Sequence, residues 1–135
     1  MPNVEAVQAA YAAFSRGDRA GALAAFSPDV VWEQAQGLPH GGTYRGLAAV
    51  EENVFGPLTR DWWERFDAPV DEVIDAAPHV VAIGRYRGVA KGTGRSLDVP
   101  YVHIWTFENG VAVRFRQYLD TAGWNHALAG PSPAG

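Results

Sequence analysis

The second half of the chain is a series of segments in which apolar and polar residues alternate. A period of two is the pattern of strands that bury one face. It predicts strands over residues 70–75, 79–90, 97–107 and 111–119. Asn109-Gly110, between the last two segments, is typical of a tight hairpin turn. We therefore expect an antiparallel meander in this half.

The first half has helical periodicity instead. Apolar side chains recur at the spacing of one helix face at Val4, Val7, Tyr11 and Phe14. Asp18 can cap a second short helix, and weaker signals predict a turn at residues 27–29, strands at 30–33 and 43–45, and a helix over 47–55. Helices followed by a meander predict an α+β fold. We expect a cone-shaped roll, in which the helices pack on a strongly bent, mainly antiparallel sheet that encloses a pocket.

Length, charge and histidine spacing narrow the class of protein. The 135 residues predict one domain over residues 1–129 and a flexible C-terminal tail over 130–135. A net charge of −4 argues against a nucleic-acid partner. The chain has no apolar run of membrane-spanning length and no signal-peptide core, so we expect a cytoplasmic protein with no membrane partner. With no cysteine and no close pair among the four histidines, we expect neither a metal nor a cofactor.

The segment VRFRQYLDT, residues 113–121, raises the question of which side of its strand faces inward. One side carries Arg114, Arg116, Tyr118 and Asp120, and the other carries Val113, Phe115, Gln117 and Leu119. The polar side can be the wet side of a half-buried strand or the wall of a pocket. Alternation alone leaves both alternatives open.

Long parts of the sequence resemble a known superfamily. VQAAYAAFSRGDRAGALAAFSPDVVWE (7–33), GTYRG (42–46), GRYRG (84–88) and VPYVHIWTFENGVAVRFRQYLDT (99–121) are similar to segments of the SnoaL-like polyketide cyclase and ketosteroid isomerase-related superfamily. The resemblance implies the nuclear transport factor 2-like α+β cone. It also implies a cofactor-free protein, commonly a homodimer joined through the outer face of the sheet.

The resemblance further implies roles for individual residues. The general base of the isomerases falls at Glu33, and a later acid that donates to the oxyanion falls at His103. Their helical tyrosine falls at Ala10, one residue before Tyr11, so the isomerase set is incomplete. The cyclase and epoxide-hydrolase branches use an aspartate that matches Asp120, which directs Asp120, Tyr118 and Arg116 toward the cavity.

Each candidate catalytic residue also has a structural interpretation. Asp120 can cap a helix that begins at residue 121, or serve as an acid held ionised by Arg116. His103 can be a hydrogen-bonded core histidine, a proton shuttle or a neutral donor to an oxyanion. Glu33 can be a water-exposed carboxylate or a base beside indole. The remaining predicted pocket residues are aromatic: Tyr11, Trp32, Trp63, Tyr101, Trp105 and Tyr118.

These residues predict a small cofactor-independent enzyme that binds an apolar small molecule. Asp120 or Glu33 would remove a proton next to a carbonyl, as in isomerisation or aldol cyclisation, and His103 would stabilise the enolate oxygen. Two alternatives stay open. One is a non-catalytic module that binds an apolar ligand, and the other is an epoxide-hydrolase-like hydrolase.

Overall fold

Two helices begin the fold in the computed structural model, which describes residues 2–129. Helix α1 spans Pro2–Ser15 and helix α2 spans Arg19–Leu23. As predicted, Asp18 caps α2, and its carboxylate accepts a hydrogen bond from the Gly21 amide at 2.9 Å. The predicted tail, 130–135, lies outside the described residues.

Within residues 2–129, seven strands form one curved, unclosed sheet. They are β1 Phe26–Gln34, β2 Gly42–Arg45, β3 Trp63–Asp67, β4 Val70–Ala76, β5 His79–Ala90, β6 Ser96–Glu108 and β7 Val111–Leu119. Their order is β2-β1-β7-β6-β5-β3, and β4 also pairs with β5. Only β1 and β7 run parallel among these pairs; the others are antiparallel. The predicted α+β architecture, with helices on a strongly bent and mainly antiparallel sheet, is confirmed.

Three local predictions were wrong or incomplete. Residues 27–29 do not form a turn; they lie inside β1, where the pairing register shifts between Phe26 and Val31. Strand β3 was not predicted. The helix expected over 47–55 begins as α3, Leu47–Val50, and continues as two π-helical segments, Glu51–Phe55 and Leu58–Trp62.

The last hairpin and helix fix the end of the sheet. Asn109 and Gly110 both have positive φ, 51° and 81°, as the predicted tight turn between β6 and β7 requires. Helix α4, Thr121–Leu128, follows β7, and Asp120 caps it. No helix among residues 2–129 has the length and apolar character needed to cross a bilayer.

The inner face of the sheet is strongly aromatic. On β6 the buried side chains alternate as Tyr101, His103, Trp105 and Phe107, while Val102, Ile104 and Thr106 lie on the outer face at intermediate exposure. Pairing places Gln117 opposite His103 and Phe115 opposite Trp105. The strand alternation therefore carries a histidine and a glutamine into the centre of an aromatic core.

Candidate functional site

A cavity of about 70 Å³ lies between helix α1, the π-helical segments and the inner face of the sheet. Most of its wall is apolar and aromatic, and eight of the side chains that line it also carry a hydrogen-bonding group: Tyr11, Trp32, Gln34, Tyr86, His103, Trp105, Gln117 and Trp124. A second space of about 190 Å³, which we call the outer chamber, shares part of this wall. The shared residues are Phe14, Phe55, Leu58 and Phe66.

His103 is held between two tyrosines deep in this wall. The Tyr11 hydroxyl lies 2.5 Å from Nδ1 of the imidazole, and the Tyr86 hydroxyl lies 2.5 Å from Nε2. We call Tyr11, His103 and Tyr86 the triad. His103 is 4% exposed, and burial lowers its pKa to about 3. The imidazole is therefore neutral at physiological pH, with one ring N–H and one acceptor nitrogen.

Burial also keeps both tyrosines of the triad protonated. It raises the pKa of Tyr11 and of Tyr86 above the usual range. Neither residue can serve as a ready anion near neutral pH, because the interior disfavours the charged phenolate. The triad is consequently a set of neutral donors and acceptors.

Two further side chains fix the orientation of the triad. The Gln117 Oε1 atom accepts from the Ala35 amide at 3.0 Å, so its Nε2 group donates to the Tyr86 oxygen at 2.8 Å. The Trp105 indole N–H donates to the Tyr11 oxygen at 3.1 Å. Each tyrosine oxygen thus already accepts one fixed N–H.

The triad has one more hydrogen-bond donor than the hydrogen bonds between its members use. A neutral imidazole and two phenols carry three mobile protons, but only two hydrogen bonds join the three groups. In one tautomer the Tyr86 O–H is unused, and in the other it is the Tyr11 O–H. Both residues line the cavity, so either tautomer leaves a hydroxyl donor available to a ligand oxygen.

A second buried chain runs from Trp32 to His40. The Trp32 indole N–H donates to Oε1 of Gln34 at 2.7 Å, so the Gln34 Nε2 group must be the donor to Nε2 of His40, also at 2.7 Å. His40 is 7% exposed, and burial lowers its pKa to about 4. Neutral His40 therefore carries its proton on Nδ1, which has no partner among the described residues.

Four of the predicted site residues lie in the cavity wall. Tyr11, Trp32, His103 and Trp105 all face it, although they come from α1, β1 and β6. Tyr101 and Trp63 are fully buried beside the site and do not line it. The Tyr101 ring stacks on His103 at 4.1 Å, and the Trp63 ring packs against Trp124 at 5.1 Å.

The expected position of Glu33 was wrong. Trp32 and Gln34 face the cavity, so the alternation of β1 turns Glu33 to the outer face of the sheet. There its carboxylate accepts from Nε of Arg114 at 2.6 Å. Glu33 does not meet His103.

The expected direction of the polar side of β7 was also wrong. Phe115 and Gln117 face the cavity, while Arg116 and Tyr118 lie on the outer face, where Tyr118 is 52% exposed. Asp120 is exposed, and its carboxylate caps α4 by accepting from the Gly123 amide at 3.0 Å. No ion pair of the described residues joins Arg116 to Asp120.

Sequence reasoning missed four residues that matter at this site: Gln34, Tyr86, Gln117 and Trp124. Tyr86 lies in the GRYRG segment, whose alternation with its neighbours was a usable signal. Gln117 lies on the otherwise apolar side of VRFRQYLDT, and a lone amide on a core face indicates a buried hydrogen-bond partner.

The chemistry of the cavity follows from its composition. No carboxylate is among the residues that line it, and no three histidine, aspartate or glutamate side chains of residues 2–129 are grouped as metal ligands. The wall instead offers neutral donors in an apolar setting, where a hydrogen bond to a ligand oxygen is strong.

Comparisons with known proteins identify the family and the fold. A family model for the SnoaL-like domain matches residues 7–115, and a comparison with proteins of curated function found no match. An NTF2-like protein from Burkholderia thailandensis is 31% identical, with a TM-score of 0.88 over 94% of this chain and 97% of that one. An NTF2-like protein of unknown function from Burkholderia pseudomallei is 33% identical, with a TM-score of 0.87 over 96% and 98%.

A third similar structure contains a small molecule. TerC, co-crystallised with polyporic acid, is 29% identical, with a TM-score of 0.82 over 95% of this chain and 98% of that one. The family model covers most of the sequence, and two relatives exceed 30% identity over nearly their whole length. The chain therefore belongs to the SnoaL-like family, with the nuclear transport factor 2-like fold.

Proposed function

We propose that this protein binds a compact apolar small molecule through a carbonyl oxygen, which accepts the unused hydroxyl proton of the triad. The observation that carries the proposal is the neutral His103 between Tyr11 and Tyr86 at the wall of an apolar cavity. A ligand without an acceptor oxygen would leave that buried O–H unpaired, at a cost of about 1–3 kcal/mol.

Cavity size limits the ligand. At about 70 Å³ the inner space admits a carbonyl group and part of an apolar body. The rest of the ligand would lie in the outer chamber, between Phe14, Phe55 and Phe66. TerC was crystallised with polyporic acid, and this supports a small-molecule ligand for the same fold here.

A second candidate function is proton transfer next to the bound carbonyl, of the isomerase or aldol-cyclase type. The continuous chain Tyr11–His103–Tyr86 supports it, because a hydroxyl that polarises the oxygen can be resupplied with a proton through the imidazole. Removal of the carbon-bound proton needs a base, and His103, with a pKa of about 3, is a weak one. Carbonyl binding is therefore the better supported function.

The hydrolase alternative has less support. It required a second carboxylate or an amide that positions a water beside Asp120 in the cavity, and Asp120 lies at the exposed start of α4. Gln34 and Gln117 are the amides in the cavity wall, and both are already engaged in the hydrogen bonds described above.

A matched pair of probes tests the binding proposal. Acetophenone and α-methylstyrene have the same shape, but only the first has an acceptor oxygen. We expect the wild type to bind acetophenone about 5- to 100-fold more tightly, as measured by tryptophan fluorescence titration or calorimetry. The double variant Tyr11→Phe/Tyr86→Phe, which removes both hydroxyls of the triad, should reduce that ratio, whereas Tyr118→Phe, on the outer face, should not. Equal affinity of the wild type for both probes would refute the proposal.

Deuterium exchange separates binding from catalysis. In D₂O, an enolising protein would exchange the methyl protons of acetophenone faster than buffer does, and NMR would follow the loss of the proton signal. If saturating protein does not accelerate the exchange, the protein binds the carbonyl compound without catalysing proton transfer.

The expected homodimer is a separate proposal. Tyr118 is 52% exposed on the outer face of the sheet, which supports a contact there between two copies. Sedimentation equilibrium of the wild type and of Tyr118→Glu tests it, and a monomeric wild type would refute it.

A further inference from the structure

Buried donors without a protein acceptor point to a second ligand contact. Among residues 2–129, four buried side-chain nitrogens have no hydrogen-bond partner: His40 Nδ1, Trp63 Nε1, Arg116 Nε and Trp124 Nε1. Buried N–H groups are nearly always paired, so each of these needs an explanation. Trp124 is the one of the four that lines the cavity.

The Trp124 indole is a fixed part of the wall. Helix α4 is held at its start by the Asp120 cap and in its middle by Asn125, whose side-chain amide donates to the Gly37 carbonyl at 2.7 Å. At its end, Thr93 donates to the Ala127 carbonyl at 2.6 Å. Trp124 is 1% exposed and is enclosed by neighbouring rings, so its N–H has little freedom to reach water.

The Trp124 ring is also a direct neighbour of the triad. Its centroid lies 5.5 Å from that of Tyr86, and the two rings are nearly perpendicular, at 81°. Both line the same cavity. One small molecule in the cavity can therefore contact both side chains.

We propose that Trp124 is a specificity residue whose indole N–H donates to a second acceptor oxygen of the ligand, next to the one bound by the triad. This inference rests on the proposed carbonyl-binding function and narrows the ligand class to apolar compounds with two neighbouring acceptor oxygens, such as 1,2-diketones. A ligand with one oxygen leaves the Trp124 N–H unpaired, and one with two oxygens pairs it.

A second pair of probes isolates this contact. In 1-phenylpropane-1,2-dione both oxygens are present, whereas in 2-methyl-1-phenylprop-2-en-1-one a methylene group replaces the second oxygen with little change of shape. The chain has no cysteine thiol to add to the enone. We expect the wild type to bind the dione about fivefold or more tightly than the enone.

Variants assign that preference to one side chain. Trp124→Phe should bring the dione-to-enone ratio to about one while the ratio of acetophenone to α-methylstyrene stays above one. Trp63→Phe is the matched control, because its N–H is also unpartnered and buried but does not line the cavity; it should keep the dione preference. A dione preference that survives Trp124→Phe would overturn the inference, and so would equal binding of dione and enone by the wild type.

NMR supplies a readout on the wild-type protein that does not depend on folding of a variant. The dione should move the indole proton of Trp124 downfield as it enters a hydrogen bond, and the enone should not. An unchanged Trp124 signal at saturating dione would refute the contact. If acetophenone and α-methylstyrene also bind equally, the proposed function itself fails; if only the dione test fails, the triad function stands.

Discussion

We expect the two buried histidines, His40 and His103, to make the protein labile to acid. His103 and His40 have an ordinary pKa of 6.5 when unfolded, and burial lowers the value to about 3 and about 4 in the folded protein. Below pH 6.5 the unfolded chain binds two protons that the folded protein does not. The contribution of these two histidines to stability is therefore complete above pH 6.5 and is lost as the pH falls toward their pKa values in the folded protein.

The size of the effect follows from linkage. Each histidine contributes a slope of about 1.4 kcal/mol per pH unit, so the two together give about 2.7 kcal/mol per unit over this window. Between pH 6.5 and about pH 4.5 the free energy of unfolding should fall by about 5 kcal/mol. Small domains have about 5–15 kcal/mol in total, so this loss is large enough to unfold much of the population.

Urea titrations at about pH 7, 5.5 and 4.5, followed by tryptophan fluorescence, measure this slope. His103→Gln and His40→Gln should each remove about half of it, and His126→Gln, at an exposed position, controls for histidine substitution itself. Arg85 lowers the pKa of Asp98, so this carboxylate changes the stability only below its ordinary pKa of 3.8, which is outside the pH range of these titrations. A wild-type slope below about 0.5 kcal/mol per unit, or an unchanged slope in the double variant, would refute the reasoning.

Two further predictions concern stability. Asp120→Ala removes the cap of α4 and should cost about 1 kcal/mol in urea unfolding, with acetophenone affinity unchanged; a tenfold loss of affinity would instead return Asp120 to the site. Gly84→Ala should cost about 3 kcal/mol or more in the same assay, because the added methyl would lie 2.2 Å from the Pro69 carbonyl and 2.6 Å from the Tyr101 hydroxyl. Wild-type stability in Gly84→Ala would show that β5 can move away from that carbonyl.

Alternation predicted the later strands well because it has a single period and clear stops. The observed β5 and β7 have the predicted bounds, and Asn109-Gly110 adopts the expected turn. In contrast, Ser27-Pro28-Asp29 has turn composition yet lies within β1, where an irregular register accommodates it. Phe26 and Val31, on either side of this segment, pair with β7 and keep it within the strand, and no local signal contains that information.

The sequence did not show as easily which face of each strand points inward. Period two divides residues into two sides, but both sides of β6 and β7 carry apolar residues, so the pattern does not say which side is inner. The structure resolves the choice through pairing: His103 lies opposite Gln117, and that places Phe115 and Gln117 inside with it. A one-residue difference in phase therefore separates a site built on Asp120 and Glu33 from one built on the triad.

The burial of neutral polar groups underlies both the predicted acid lability and the ligand that we propose. The same burial that lowers the pKa of His103 removes competing water from its hydrogen bonds, so the triad keeps a rigid arrangement of neutral protons. Gln117 donates to the Tyr86 oxygen and Trp105 donates to the Tyr11 oxygen. The imidazole donates to one tyrosine and accepts from the other, so one tyrosine hydroxyl proton has no partner in the triad. A fourth proton, added to His103 by acid, would leave both tyrosine hydroxyls without an acceptor in the triad and would bring a charge into an apolar wall. The proposed contact with a neutral ligand oxygen and the predicted loss of stability in acid therefore have a common cause, which is the burial of neutral polar groups among apolar side chains.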